Sequence, residues 1–177
     1  TFGKIWKLID FGRAIYKINN RLICSDSFAP GEDAATQYNC EPFMNTEKPR
    51  LEPNFSFDLC RLGCSLFDYF LDDLEELDDL EELDDVQKII VNWCTDDKGK
   101  NILYKKNGEE RYPEFKLYKM IARNVHNHTP QNQLQKDQFK NFKVSKRKIR
   151  KGAKIINIDK FEDLSSSENT VFSELSV

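Results

Sequence analysis

Apolar residues are most concentrated between Asn54 and Leu71, where at a helical period they surround the helix instead of forming one stripe. A helix that is apolar all round lies in the middle of a domain, with other elements packed on every side. We therefore expect a buried central helix, with Ser56 capping its first turn and Gly63 allowing a close backbone contact. Charged residues interrupt the run, which is also too short to span a membrane.

Weaker apolar patterns follow towards the C-terminus. Val86 to Trp93 is apolar enough to rejoin the core, and Glu114 to Val125 has the spacing of an amphipathic helix. A further helix is expected to begin at Thr129, which would cap it, with Pro130 at its first position. The side chains expected to face inward from this last segment are Leu134, Phe139 and Phe142.

Between these elements lies an acidic repeat, Asp72 to Asp85, in which Asp-Asp-Leu-Glu-Glu-Leu occurs twice. Its leucines recur every third residue and therefore wind around a helix, and like charges three and four residues apart repel. This pattern excludes a coiled coil and indicates an exposed acidic extension of the central helix, partly helical or disordered. The repeat could also dock a basic partner, including the chain's own tail.

The charge of the chain is segregated by this repeat. The repeat holds ten carboxylates, which leaves 27 basic against 20 acidic residues elsewhere, a net charge of +7. The most basic segment, Lys143 to Lys154, has no interleaved aromatic residues, so base stacking is not indicated and nucleic acid is an unlikely partner. We expect residues 143–177 to form a basic and then serine-rich, acidic tail that is solvated or lies on the acidic repeat.

The five cysteines are odd in number and lack the paired spacing of a metal site. Cys60 and Cys64 are one helical turn apart in the predicted central helix, where free thiols behave as small apolar groups. Together with the absence of a signal peptide or membrane span, this indicates a reducing compartment, cytoplasmic or nuclear. Because the chain begins at Thr1 without a methionine, we expect it to be part of a longer protein.

Near the N-terminus, Phe2 to Ile9 is typical of two short strand pieces, and the second leads into Asp10-Phe11-Gly12. Asp-Phe-Gly is the magnesium-binding motif of protein kinases. A second segment provides an independent comparison. Asp58-Leu59-Cys60-Arg61-Leu62-Gly63 resembles the Asp-x-Trp-x-x-Gly pattern of the central helix of the kinase C-lobe, with Cys60 in place of Trp.

From Lys4 to Phe142 the chain therefore resembles the C-lobe of a eukaryotic-type protein kinase, and it is most similar to Ser/Thr kinases of large DNA viruses. The resemblance implies a mainly α fold that lacks the N-lobe. Its parts would be a short N-terminal β hairpin, a long activation loop, the buried central helix and further helices. Residues 1–142 would form this lobe, with the acidic repeat 72–85 as an insertion.

The same resemblance implies transfer of the ATP γ-phosphate to Ser/Thr hydroxyls of a protein substrate. Asp10, Phe11 and Gly12 would border the nucleotide, and Asp10 would bind Mg²⁺. No catalytic residue is expected in this chain, because the catalytic-loop Asp would lie upstream of Thr1. We therefore expect the chain by itself to be inactive. The alternative is a catalytically dead kinase-like scaffold that binds partners through its acidic repeat and basic tail.

Ile15 to Phe43 shows no sustained period and would be the activation and substrate loop. The hydroxyls that such a loop offers for phosphorylation are Ser25, Ser27, Thr36 and Tyr38. The loop ends in Cys40-Glu41-Pro42 where kinases have Ala-Pro-Glu, so the Glu that kinases bury against a later Arg is either Glu41 or absent. His126 to Pro130 stands where that Arg is expected, and we expect its two histidines to be structural. Asp58 and Gly63 would be structural residues of the central helix.

Overall fold

The computed structural model of the chain describes residues 9–19, 21–71, 81–149 and 151–152. The chain divides into two compact units, Thr1–Asn141 and Phe142–Val177. In its described parts the fold is mainly helical, with one small two-stranded antiparallel sheet. The strand pieces predicted at Phe2 to Ile9 lie, except for Ile9, outside the described residues.

The sheet lies in the segment that we expected to be an irregular loop. Strand β1 (Ile15–Ile18) pairs antiparallel with β2 (Arg21–Cys24), with Ile15 opposite Cys24. Asn19 occupies the left-handed region, with a φ of 49°, in the turn between the strands. The prediction of no regular structure was wrong here because four-residue strands are too short to establish a period, although Asn is a favoured turn residue.

A 3-10 helix (Asp26–Phe28) follows, and the connection that continues to residue 55 is organised by the side chain of Asn39. The Asn39 amide nitrogen donates hydrogen bonds to the carbonyls of Asn45, Lys48 and Pro49, at 2.8 to 3.0 Å. The backbone of Asn39 also forms an antiparallel bridge with Leu51. The amide oxygen of Asn39 accepts from the Asn45 N–H at 2.8 Å. This one amide thus closes a ten-residue loop, since its donors and its acceptor satisfy several backbone groups together.

Helix α1 (Ser56–Phe70) is the predicted central helix, but it begins differently from the prediction. Asn54, not Ser56, provides the side-chain oxygen at its start, which accepts a hydrogen bond from the Ser56 N–H at 2.9 Å. The Ser56 hydroxyl instead accepts from the backbone N–H of His128 at 3.0 Å. Ser56 is fully buried, and its hydroxyl satisfies the backbone N–H of a distant segment instead of capping its own helix.

Burial around α1 is one-sided, which corrects the prediction of a helix covered on every side. Cys60, Cys64 and Phe67 are buried, whereas Leu62 and Tyr69 are 47% and 81% exposed. Among the described elements, α2 (Asp85–Trp93) and α3 (Lys116–Asn124) pack against α1. The apolar side chains of α1 that its neighbours leave uncovered stay in contact with solvent.

The start of α2 corrects the expected extent of the acidic extension. Residues 72–80 lie outside the described residues, but Leu83 is buried at 5% exposure and Asp84 is the N-cap of α2. The last part of the repeat therefore belongs to the folded unit. Val86 to Trp93 rejoins the core as predicted, with Ile90 buried.

The turn-rich segment between α2 and α3 is held by a buried ion pair. Asp96 accepts backbone hydrogen bonds from Lys98 and Lys100, and its carboxylate lies 3.2 Å from the guanidinium of Arg111. Gly99 and Gly108 adopt positive φ values of 75° and 81°, in turns that their Asp97-Lys98-Gly99 and Asn107-Gly108 sequences favour. These turns carry the fully buried Ile102 into the core.

The C-terminal helices are shorter than predicted. Thr129 caps α4 (Pro130–Gln133), with Pro130 at its start, as predicted, and α5 (Asp137–Lys140) follows. The inward orientation predicted for Leu134 and Phe142 was wrong, because they are 70% and 77% exposed. A one-turn helix has no continuous face to bury. In the second unit, the described residues include a 3-10 helix at Lys146–Lys148.

Candidate functional site

The described residues form an open cavity of about 1330 Å³. Its walls come from the Asp-Phe-Gly segment, the β1–β2 hairpin, the following loop and the start of α1. Asp10, Phe11, Tyr38 and Asp58 all line it. The two segments that carry the sequence motifs, far apart along the chain, thus meet at one cavity.

Asp10 stands in a turn at the rim of this cavity with a φ of 62°. This left-handed conformation is uncommon for residues other than Gly, although Asp tolerates it better than most, and such backbone strain is frequent at functional sites. One carboxylate oxygen of Asp10 accepts a weak hydrogen bond from the Gly12 N–H at 3.3 Å. The carboxylate is exposed, as are the neighbouring side chains of Ile9 and Phe11.

The described residues do not by themselves form a magnesium site. None of their His, Cys, Asp and Glu side chains come together in a group of three or more that could hold a metal ion. Mg²⁺ in nucleotide sites uses one or two carboxylates together with waters and phosphate oxygens. Asp10 offers one such carboxylate, so a complete site would need ligands from outside the described residues.

The four hydroxyls predicted for the loop differ in accessibility. Ser25 and Ser27 are half-buried, with their oxygens 2.6 Å apart, and the Ser25 oxygen also caps the 3-10 helix. The Tyr38 ring packs between Phe28 and Phe57, at centroid distances of 5.8 and 6.3 Å. Burial raises the pKa of Tyr38 to about 12. Thr36 is therefore the one exposed hydroxyl residue of this predicted set.

Glu41 has an arginine partner, but that partner is neither buried nor near His126. Arg50 donates to both carboxylate oxygens of Glu41, at 2.6 and 3.0 Å, and to Glu52 at 2.7 Å. These hydrogen bonds hold the pKa of Glu41 at about 2. All three side chains are exposed and line the cavity, so they form a charged wall instead of a buried ion pair.

Both histidines hold neighbouring segments together, which fits the structural role predicted for them. His126 Nδ1 lies 2.6 Å from a carboxylate oxygen of Asp97, and its backbone N–H donates to the other oxygen at 2.8 Å. His128 Nε2 lies 2.7 Å from the carbonyl oxygen of Thr95. These contacts join the turn after α2 to the segment after α3.

Sequence reasoning missed two arginines, Arg13 and Arg61, that contact aromatic residues at the start of α3 and on α3. Arg13 pairs with Asp33 at 3.2 Å and lies over the ring of Phe115, 5.3 Å from its centroid. Arg61 lies 4.5 Å from the centroid of Tyr118 and donates to its hydroxyl. The Arg13–Phe115 and Arg61–Tyr118 contacts join residues 102 and 57 positions apart, which no local period can reveal. Aromatic residues next to basic ones were the only available signal.

No family model, curated protein or solved structure matches the chain. In the described part of the chain, none of the helices has the length and apolar character needed to cross a bilayer. What supports a function for this chain is therefore its two motifs and the cavity that both of them line.

Proposed function

We propose that this chain is the C-terminal part of a protein kinase, which transfers the γ-phosphate of ATP to Ser/Thr hydroxyls of a protein substrate. The observation that carries the proposal is the convergence of the Asp-Phe-Gly turn and Asp58 on one large open cavity. Two short motifs that match by chance have no reason to meet at the same concave surface. Large concave pockets with a few convergent polar groups are the usual location of ligand and active sites.

Under this proposal the chain contributes one side of the site. Asp10 supplies one carboxylate ligand for the Mg²⁺ that accompanies ATP, and the Gly12 N–H restrains that carboxylate. Tyr38 and the Glu41–Arg50 pair form the wall next to it. Under this proposal the nucleophile-activating base and the remaining metal ligands come from outside residues 1–177, so this chain alone is expected to transfer no phosphate.

The alternative, a kinase-like scaffold without catalysis, is favoured by a specific observation. The described residues offer one metal ligand instead of a group, and Glu41 pairs with an exposed arginine instead of a buried one. A scaffold would use the same cavity, the acidic repeat 72–85 or the basic tail to bind partners.

The test is phosphoryl transfer by the longest reading frame that contains this chain. We expect magnesium-dependent transfer from γ-labelled ATP to a general protein substrate, and a loss of about a hundredfold or more in Asp10→Asn, since the metal supplies several kcal/mol of charge stabilisation. Asp137→Asn is the matched control, because this exposed aspartate pairs with Lys140 on α5 and does not line the cavity. That variant should keep wild-type activity.

The outcomes separate the two candidates. Transfer that is equal in wild type and Asp10→Asn would contradict the role of Asp10. A reading frame that transfers no phosphate and binds no magnesium–nucleotide, yet captures a partner protein, would support the scaffold instead.

A further inference from the structure

Thr36 has the least favourable backbone conformation in the loop. Its φ is 69°, in the left-handed region, where a β-branched residue is a genuine outlier. Such a conformation persists only when the surroundings determine it, and it is concentrated at functional sites. The Thr36 side chain is exposed, so burial of that side chain is not what holds the backbone.

An arginine at the end of α3 contacts this backbone, in addition to the turn hydrogen bond from Gln37 to Ala34. The Nη2 atom of Arg123 donates to the carbonyl oxygen of Thr36, and its Nη1 atom donates to the carbonyl of Lys119 at 2.7 Å. The planar guanidinium therefore joins the loop to the last turn of α3. A lysine cannot reproduce this, because its one ammonium group lacks the fixed fork that engages two carbonyls at once.

The residues that follow Thr36 lead directly into the cavity wall. Ala34 and Gln37 are buried at 1% and 4% exposure, and the Gln37 N–H donates to the Ala34 carbonyl at 3.0 Å. Next comes Tyr38, whose ring is fixed between two aromatic residues, and then Glu41 in the cavity wall. Arg123 thus contacts the segment that leads into the cavity wall, although Arg123 itself does not line the cavity.

We propose that Arg123 is a positioning residue for the protein substrate. Arg123 holds Thr36 in the left-handed conformation. This conformation sets the direction of the backbone that continues to Tyr38 and Glu41 in the cavity wall. The nucleotide side of the cavity, with Asp10 and Phe11, belongs to a different segment. This inference rests on the proposed kinase function for its substrate, but the restraint on the loop can be measured without activity.

The first test is hydrogen–deuterium exchange on the 177-residue chain, comparing Arg123→Lys and Arg123→Gln with wild type. Exchange at residues 35–40 should be about fivefold faster in both variants, as expected for the loss of one charge-assisted hydrogen bond. Arg147→Lys, in the second unit, is the matched control and should leave this exchange unchanged. Because Arg123 is exposed, the melting temperature should stay the same.

A second substitution tests whether backbone strain is what Arg123 opposes. Glycine adopts a φ of 69° without steric cost, so Thr36→Gly removes the strain. In the Thr36→Gly background, Arg123→Lys should change exchange at Gln37 and Tyr38 by less than half as much as in wild type. A purely structural arginine would give the same change in both backgrounds, and that result would overturn the proposal.

The kinetic test uses the longest reading frame that contains the chain. Arg123→Lys should raise the KM for the protein substrate about fivefold and leave the KM for ATP unchanged. Equal exchange in Arg123→Lys and wild type overturns the proposal whatever the activity, and so does an unchanged KM for the protein substrate. If wild type transfers no phosphate, the proposed function fails by itself, and the exchange data still decide whether Arg123 positions the cavity wall.

Discussion

At the scale of single residues, Gly63 decides how closely α1 and α2 approach. A Cβ atom at this position would lie 2.9 Å from the Cβ of Trp93 and 3.1 Å from the Cys94 sulfur. Cys94 also lies beside Cys64, and this contact together with burial raises the pKa of the Cys94 thiol. The Cys94 thiol therefore stays neutral and fills the space beside Gly63 as a small apolar group.

We predict that Gly63→Ala destabilises the chain by about 1–2 kcal/mol. Alanine favours a helix by about 1 kcal/mol over glycine, but forcing a methyl group into a packed interface costs about 1–3 kcal/mol. The steric effect should win because the Trp93 Cβ is fixed to the α2 backbone and cannot rotate away. Urea unfolding measures the difference.

Ser65→Ala on the exposed side of α1 is the control for this substitution. The Ser65 hydroxyl donates to the Arg61 carbonyl of its own helix. This substitution should change the unfolding free energy by less than about 0.5 kcal/mol. If Gly63→Ala were as stable as Ser65→Ala, the close approach of the two helices would be contradicted.

At the scale of elements, α2 begins with a complete capping box. The Asp84 carboxylate accepts from the N–H groups of Val86 and Gln87, at 2.7 and 2.8 Å. The Gln87 side chain accepts from the Asp84 N–H at 2.9 Å and donates to the Phe70 carbonyl at the end of α1. Asp84, which looks like part of an acidic repeat, thus determines where α2 begins, and its capping partner Gln87 contacts the end of α1.

We predict that Asp84→Ala costs about 1 kcal/mol of unfolding free energy, because the first-turn N–H groups of α2 lose their acceptor. Asp85→Ala, one residue further on, is the control: it removes the same charge from the same turn without removing the cap. Its cost should be clearly smaller, within about 0.5 kcal/mol. Equal losses in thermal or urea unfolding would mean that charge, not capping, stabilises the start of α2.

Helix α1 shows what a pattern along an element can and cannot predict. Its bounds, its burial of Cys60 and Phe67 and the close contact at Gly63 were all accessible from residue type and spacing. The exposure of Leu62 and Tyr69 was not, because it depends on which neighbours arrive from α2 and α3. Periodicity records which residues can be buried, and long-range packing decides which of them are.

At the scale of the whole molecule, the hydrophobic core belongs to the first unit. The buried cluster extends from Cys60 on α1 to Val125 after α3, and it includes Phe67, Ile90 and Ile102. Among the residues that the structure describes, none from Phe142 onward is a member of this core.

We predict that removing residues 142–177 shifts the thermal midpoint by no more than about 2 °C, since no described core residue is lost and stability follows buried apolar surface. Differential scanning calorimetry of the shortened and complete chains measures this. A broad or non-cooperative transition in the shortened chain would show that the C-terminal residues contribute to the folded unit.

The sequence by itself determined the features that depend on neighbours along the chain. These are the helical class, the central helix, the Thr129 cap with Pro130 at the first position of α4, and the two motifs that resemble a kinase C-lobe. Each follows from backbone preferences or spacing within a few residues.

Only the tertiary structure decided what depends on distant segments. It placed the motif residues Asp10 and Asp58 on one cavity, paired Glu41 with Arg50, and joined Thr36 to Arg123. It also brought the backbone N–H of His128 to the Ser56 hydroxyl, to which it donates a hydrogen bond, and left one side of α1 exposed. Such contacts are selected by the complete packing of the chain, since a side chain's partner is whatever polar or apolar group the fold brings within reach.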